Sequence, residues 1–244
     1  MKFLKIITLS LGAVAVSSLY LSCTKGNPQV AATETNFSNS TMVQVFDATV
    51  KSTRNYIYVD GVPVSGAALA FGGVFPATAY AFKVKAGLRS FLIRDTLLTS
   101  TQVPITFAEN MQVGSSYTVF TYDTITSVKQ TTVLNTITIP TDTSAMLRFA
   151  NFIYNPNIVP NVDVYSFRKG TAVPAYSNVA TTQVTGFIPV ASGLTDTLYV
   201  YATGTTSPLL VKALVPILVP TRSYTAAYSG SYRGTRAITT FVTY

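Results

Sequence analysis

Residues 117–122 read Tyr117-Thr118-Val119-Phe120-Thr121-Tyr122, and residues 197–201 read Thr197-Leu198-Tyr199-Val200-Tyr201. Both runs are built from β-branched and aromatic residues with polar ones placed between them. That period of two suits a strand with one face in a core and the other turned to solvent. Tyr56-Ile57-Tyr58-Val59 and Ala81-Phe82-Lys83-Val84-Lys85 repeat the pattern, and Asp60-Gly61, Ala86-Gly87, Val113-Gly114, Ser192-Gly193 and Ser229-Gly230 punctuate it as turns. Pro104, Pro189, Pro216 and Pro220 sit in or beside apolar runs, where they interrupt any helix and suit edge strands. After residue 41 no segment sustains a helical period. The expected class is all-β.

The second half of the chain echoes the first. Phe46 matches Phe149, Tyr58 matches Tyr165, Gly87 matches Gly193, and Tyr117 matches Tyr224. The spacing drifts by a few residues, which one insertion near 154–161 accounts for. Each unit has about 100 residues and roughly seven short strands, the size of an immunoglobulin-like sandwich. The expectation is two tandem immunoglobulin-like β-sandwich domains, residues 42–139 and 145–244, with the break in Pro140-Thr141-Asp142-Thr143-Ser144.

The N-terminal residues read as a sorting signal. Lys2 and Lys5 precede a mostly apolar run from Ile6 to Leu21, which is short of the roughly 20 residues of a membrane span. The run ends in Leu19-Tyr20-Leu21-Ser22-Cys23, where Cys23 is the chain's single cysteine. A small residue ahead of a lone cysteine resembles the lipobox of bacterial lipoproteins. The resemblance implies a signal peptide over 1–22 and lipidation of Cys23, and so a membrane partner reached through an N-terminal lipid anchor. Tyr20 stands where that pattern prefers leucine. Residues 23–41 then form a polar tether. Thr24 after the cysteine, rather than Asp, implies the outer membrane of a Gram-negative cell, with the periplasmic or surface face left open.

Composition excludes several chemistries. The chain has 244 residues, no His and no Trp, 17 Lys+Arg against 9 Asp+Glu, and 11% charged residues against 48% hydrophobic. Without His there is no Ser-His-Asp or Cys-His unit and no His-ligated metal, and one Cys builds no disulfide or thiolate cluster. No stretch brings two carboxylates together as a glycosidase requires, and no Gly-rich loop cradles a phosphate. The expectation is a protein that is not an enzyme, with no cofactor and no nucleic-acid partner.

Three features suggest contacts. Lys83, Lys85, Arg89 and Arg94 flank Ala86-Gly87, and a hairpin there would gather them into one basic patch facing anionic glycan or lipid. Tyr228 and Tyr232 sit near Arg222, Arg233 and Arg236, residue types that favour recognition surfaces. Asp95-Thr96-Leu97, Asp123-Thr124-Ile125 and Asp196-Thr197-Leu198 resemble an O-glycosylation signal of some Gram-negative bacteria, which would place glycans on Thr96, Thr124 and Thr197.

The order Val45-Phe46-Asp47-Ala48, Ile57-Tyr58-Val59-Asp60-Gly61, Ala86-Gly87 and Tyr117-Thr118 recurs as Arg148-Phe149-Ala150-Asn151, Val162-Asp163-Val164-Tyr165, a glycine turn and Tyr224-Thr225. It resembles a family of bacterial lipoproteins classed as DUF4397, a domain of unknown function, over residues 42–232. The resemblance implies tandem β-sandwich modules with no known activity. The functional expectation is a non-catalytic cell-envelope lipoprotein serving as an interaction or scaffold module, partnered by anionic glycan or another envelope protein. The alternatives are a surface adhesin or carbohydrate-binding protein, or a fimbrial-type subunit assembling by strand addition.

Overall fold

The computed structural model describes residues 37–78, 80–168 and 171–244. Residues 1–22, expected as a signal peptide, Cys23 and most of the expected tether lie outside the described residues. Residues 33–244 form one compact unit. The described residues are all-β, with a 3-10 turn at Phe37–Asn39.

The strands form four sheets, two from each half. Sheet I contains β2 (Asn55–Val59), β3 (Val62–Pro63), β6 (Gly87–Asp95) and β7 (Ile105–Met111), ordered β3-β2-β6-β7. Sheet II has β1 (Ser40–Asp47) beside β8 (Ser116–Tyr122) and β9 (Lys129–Leu134), while β4 (Val74–Phe75) and β5 (Phe82–Lys85) share the other side of β1. Sheet III is ordered β13-β10-β16-β17 and contains β10 (Ala145–Tyr154), β13 (Ile188–Val190), β16 (Ser223–Ser231) and β17 (Arg236–Val242). Sheet IV is ordered β12-β11-β14-β15, from β11 (Val162–Arg168), β12 (Thr171–Val179), β14 (Asp196–Ala202) and β15 (Val211–Val215). Asp60 and Gly61 both take positive φ, the two-residue turn an Asp-Gly pair favours between antiparallel strands.

Sheets I and II enclose one core and sheets III and IV another. Val43, Val45, Ile57, Phe91, Ile93, Tyr117 and Val119 fill the first. Leu147, Phe149, Val162, Val164, Leu198, Val200, Tyr224 and Tyr228 belong to the second. A third core joins the halves, made by Phe46, Ala48 and Phe120 from sheet II with Ala150, Phe152, Ala227 and Phe241 from sheet III. The central strands are therefore buried on both faces, as the burial of β1, β8, β10 and β16 shows. In each inner sheet that central pair is parallel, β1 with β8 and β10 with β16.

Small residues let these two sheets approach, and phenylalanines fill the gaps. Phe120 stacks on Phe152 at 4.6 Å and Phe46 on Phe241 at 5.2 Å. Polar bonds cross the same seam. Gln44 Nε2 donates to the Val242 carbonyl at 2.8 Å. Arg148, only 2% exposed, donates from Nη2 to Thr118 Oγ1 and from Nε to Thr225 Oγ1, both at 2.9 Å. Its guanidinium also lies over the Phe187 ring, 4.8 Å from the centroid. Burial pulls the Arg148 pKa down to about 10, with Tyr176 acting weakly the other way.

Register corrects one pairing of the repeat. Val43 lies opposite Tyr117 and Leu147 opposite Tyr224, so Phe46 corresponds to Ala150 and Asp47 to Asn151. Side-chain geometry agrees: Asp47 Oδ1 accepts from the Thr49 amide and Asn151 Oδ1 from the Ile153 amide. The phenylalanines therefore face opposite ways, Phe46 into the seam and Phe149 into the core between sheets III and IV. A one-residue slip along a strand exchanges faces in this manner. β10 also outruns β1, continuing past Asn151 through Phe152, Ile153 and Tyr154.

Because the halves share a core, they are expected to unfold together. Replacing Phe120 with Ala removes a ring from the seam and should cost about 3–5 kcal/mol. Urea unfolding should remain a single transition, shifted down; two separate transitions would show that the halves hold independently.

Candidate functional site

The basic residues singled out from sequence do not form a patch. Ala86-Gly87 is where the chain changes sheets, not a hairpin turn. Lys83 and Lys85 on β5 pair with β1 in sheet II, whereas Arg89 and Arg94 on β6 pair with β2 and β7 in sheet I. Gly87, at φ +96, makes the change of direction possible. Arg89 is held by Asp60 at 2.8 Å, and Arg94 lies over the Tyr58 ring at 5.2 Å. Five residues apart on one strand, the two arginines face opposite sides.

Tyr228 is also corrected. It is fully buried, in the core between sheets III and IV, its ring 6.3 Å from that of Phe149, and it presents nothing to a ligand. Its parity on β16 matches that of Tyr224 and Ala226, which lie in the same core. Tyr232 is half-buried against that core, with Arg236 5.9 Å from its ring centroid. Of the three threonines with the glycosylation-like pattern, Thr96 is exposed after β6, and Thr124 and Thr197 are half-buried.

The carboxylates serve the fold. Asp47 is buried and accepts from the Thr49 amide, Ser52 Oγ, Asn55 Nδ2 and Thr121 Oγ1. Asp163 ties β12 to the turn after β14, accepting from the amides of Asn178 and Gly204 and from Thr203 Oγ1. Burial raises the Asp163 pKa, but those donors outweigh it and hold the carboxyl below its usual range. No group of three or more Asp, Glu or Cys able to hold a metal occurs among the described residues.

The feature that sequence reading missed is the outward face of sheet IV. On β14, Leu198 and Val200 point into the core, so Thr197, Tyr199 and Tyr201 point out. On β11 the same parity turns Asp163, Tyr165 and Phe167 outward, since Val162 and Val164 are buried. Register sets Tyr165 opposite Tyr199, Asp163 opposite Tyr201 and Phe167 opposite Thr197. Across β15, Lys212 lies opposite Tyr199 and Leu214 opposite Thr197. Tyr165 packs edge-on to Tyr201 at 5.9 Å, and Phe167 leans on Tyr199 at 5.3 Å.

Four aromatic rings thus stand on a sheet face turned away from the core. Phe167 is 37% exposed and Leu214 70% exposed. An outward sheet face is ordinarily polar, so a contiguous aromatic one is informative. The signal was present in residues 197–201, where the aliphatic residues occupy one parity and the tyrosines the other. Sheet I carries a smaller counterpart, in which Tyr58 stands beside Leu92 and under Arg94.

The fold and this surface define a double β-sandwich with an aromatic outer platform. No family model matches the chain, and no curated protein matches it. Among solved structures it is similar to a chain from Bacteroides uniformis described as a "putative cell adhesion protein", at 12% identity, over 85% of this chain and 98% of that one, with a TM-score of 0.19. A similarity at that level places no constraint on what this chain does.

Buried phenols give the protein an alkaline signature. Burial pushes the Tyr228 hydroxyl well above the ordinary tyrosine pKa, with Arg236 opposing, and burial raises Tyr176 likewise. Above about pH 10 the unfolded chain releases these protons while the folded chain keeps them, so stability falls as pH rises. Arg148 works oppositely, because its folded pKa of about 10 lies below the ordinary 12.5. Tyr228→Phe should flatten the alkaline fall by up to about 1.4 kcal/mol per pH unit, read from urea midpoints on either side of pH 10. An unchanged slope would mean the phenol ionises normally in the fold.

Proposed function

We propose that this chain is a non-catalytic lipoprotein of the Gram-negative cell envelope, anchored by lipid on Cys23, that acts as an interaction module. The observation that carries the interaction role is the outward aromatic face of sheet IV, with Tyr165, Phe167, Tyr199 and Tyr201. Such a face buries large area on contact at little entropic cost, which is why tyrosine is enriched at recognition surfaces. The Ser22-Cys23 junction behind an apolar run supports the anchor. Thr24 after the cysteine, rather than Asp, supports outer-membrane placement.

A second reading, a surface adhesin or carbohydrate binder, is favoured by the neighbours of those rings. Thr197 and Lys212 supply a hydroxyl and an ammonium beside the aromatic faces, the pairing that sugar rings require. Strand addition in a fimbrial manner has less support. Three edge strands, β3, β12 and β13, carry Pro63, Pro174 and Pro189, which lack an amide for an added strand, whereas the edges β7, β9, β15 and β17 carry no proline.

Two measurements test the proposal. Labelling with a clickable palmitate analogue should tag the protein, and Cys23→Ser should abolish the tag; label retained in the variant would remove the anchor. The double variant Tyr199→Ala, Tyr201→Ala should keep its urea midpoint close to that of the parent, because the rings lie outside the core. It should lose at least tenfold in binding to purified envelope fractions. Unchanged binding would move the contact surface elsewhere. Protease treatment of intact cells separates the readings, since digestion without lysis supports the adhesin and protection supports a periplasmic module.

A further inference from the structure

A cavity of about 250 Å³ opens where the two halves meet, and its lining comes from both. The first half contributes Tyr122, Asp123 and Lys129, at the end of β8 and the start of β9. The second contributes Tyr154, Asn157 and Thr182. Phe152 also lines it, stacks with Phe120 and lies 5.3 Å from Tyr122. Phe152 and Tyr154 belong to the extension of β10 that β1 lacks, so this cavity has no counterpart in the first half. It occurs where the repeat fails.

The chemistry of the lining is selective. Asp123 Oδ2 pairs with Lys129 Nζ at 2.7 Å, and the two side chains are 14% and 57% exposed. Asp123 Oδ1 accepts from the Thr124 amide. The anion is thus largely spent inside the protein, while the ammonium still has donors to offer. Tyr122, Asp123, Lys129 and Tyr154 all line the cavity, and the bond to Asp123 raises the Lys129 pKa. Charge within the lining cancels, which disfavours a strongly charged guest.

Backbone strain gathers at the same place. Asp123 takes φ 77 and Thr182 φ 67, two of the six positive-φ non-glycine residues among the described residues. For a β-branched threonine that conformation is costly, and such strain concentrates at ligand sites. The Thr182 amide donates to the Asn151 carbonyl and the Tyr232 amide to the Tyr154 carbonyl on the second-half side, and on the first-half side Tyr122 pairs with Lys129 across β8 and β9.

We propose that this junction cavity binds one ring of a neutral, hydroxyl-rich ligand, a single sugar residue, with Tyr122 and Tyr154 against its carbon face and Lys129 and Asn157 bonding its hydroxyls. Aromatic walls with a few polar groups at the rim match the amphipathic surface of a pyranose. The volume lies below the range that holds drug-sized molecules, which limits the guest to about one ring. This site is independent of the sheet IV face and stands whether or not that face binds anything.

The test is ligand-observed saturation-transfer NMR on the full chain. The probes are glucose, galactose and N-acetylglucosamine, their methyl glycosides, and the charged sugars glucuronic acid and glucosamine. The expected result is millimolar binding of at least one neutral sugar, weakened fivefold or more by Lys129→Gln and unchanged by Tyr199→Ala. Lys129 is largely exposed, so its replacement leaves the fold intact, and a urea midpoint on the same sample confirms that. Binding of the methyl glycoside identifies the end of a glycan chain as the guest; binding of the free sugar alone identifies a soluble saccharide. No binding of any neutral probe up to about 50 mM, binding stronger for the charged sugars, or binding that follows Tyr199→Ala instead of Lys129→Gln would each overturn the proposal.

Discussion

The structure depends on one contact, the seam between the inner sheets. Each half alone would be a two-layer sandwich with one sheet facing water. Instead Phe46 and Phe120 press against Phe241 and Phe152, and a guanidinium crosses from Arg148 to Thr118. That buried cation has no carboxylate within ion-pair distance among the described residues; two threonine hydroxyls and the Phe187 ring carry it. Replacing water around a guanidinium with neutral oxygens costs stability, and its lowered pKa reflects that cost. What the arrangement gains is register: the arginine satisfies its donors only when β10 lies at one position along β8.

The seam also explains which parts of the fold were legible in the sequence. The all-β class, the Asp60-Gly61 turn and the near-duplication follow from local chemistry and period. The seam does not, because a threonine facing solvent and one facing a partner sheet look alike in a sequence. Thr118 reads as the wet side of a strand, yet it is fully buried beside Arg148. Alternation identifies two faces but does not say what covers either of them.

The errors over function share a cause. A glycine following a strand ordinarily makes a hairpin, which would bring Lys83, Lys85, Arg89 and Arg94 together. Here the glycine carries the chain between layers, a non-local outcome that turn chemistry does not distinguish. Tyr228 was singled out for its arginine neighbours, though its parity with Tyr224 and Ala226 assigns it to the core. The same parity argument applied to residues 197–201 would have found the aromatic face of sheet IV. The junction cavity lies beyond such arguments, because it requires Tyr122 and Tyr154 to meet across the seam. The failure of the repeat near residue 154 was its sole trace in the sequence.

The parallel pairing at the centre of each inner sheet has a consequence for synthesis. β1 must wait for β8, and β10 for β16, because each parallel partner arrives only after the intervening strands have been made. Such long-range closures are slow. When the first half closes, it presents Phe46 and Phe120 to solvent until the second half arrives. During that interval its best partner is a face of similar shape, and every other copy emerging nearby carries one. Crowded nascent chains would therefore compete with the chain's own second half, and tandem linkage counters this by holding the correct face at high effective concentration.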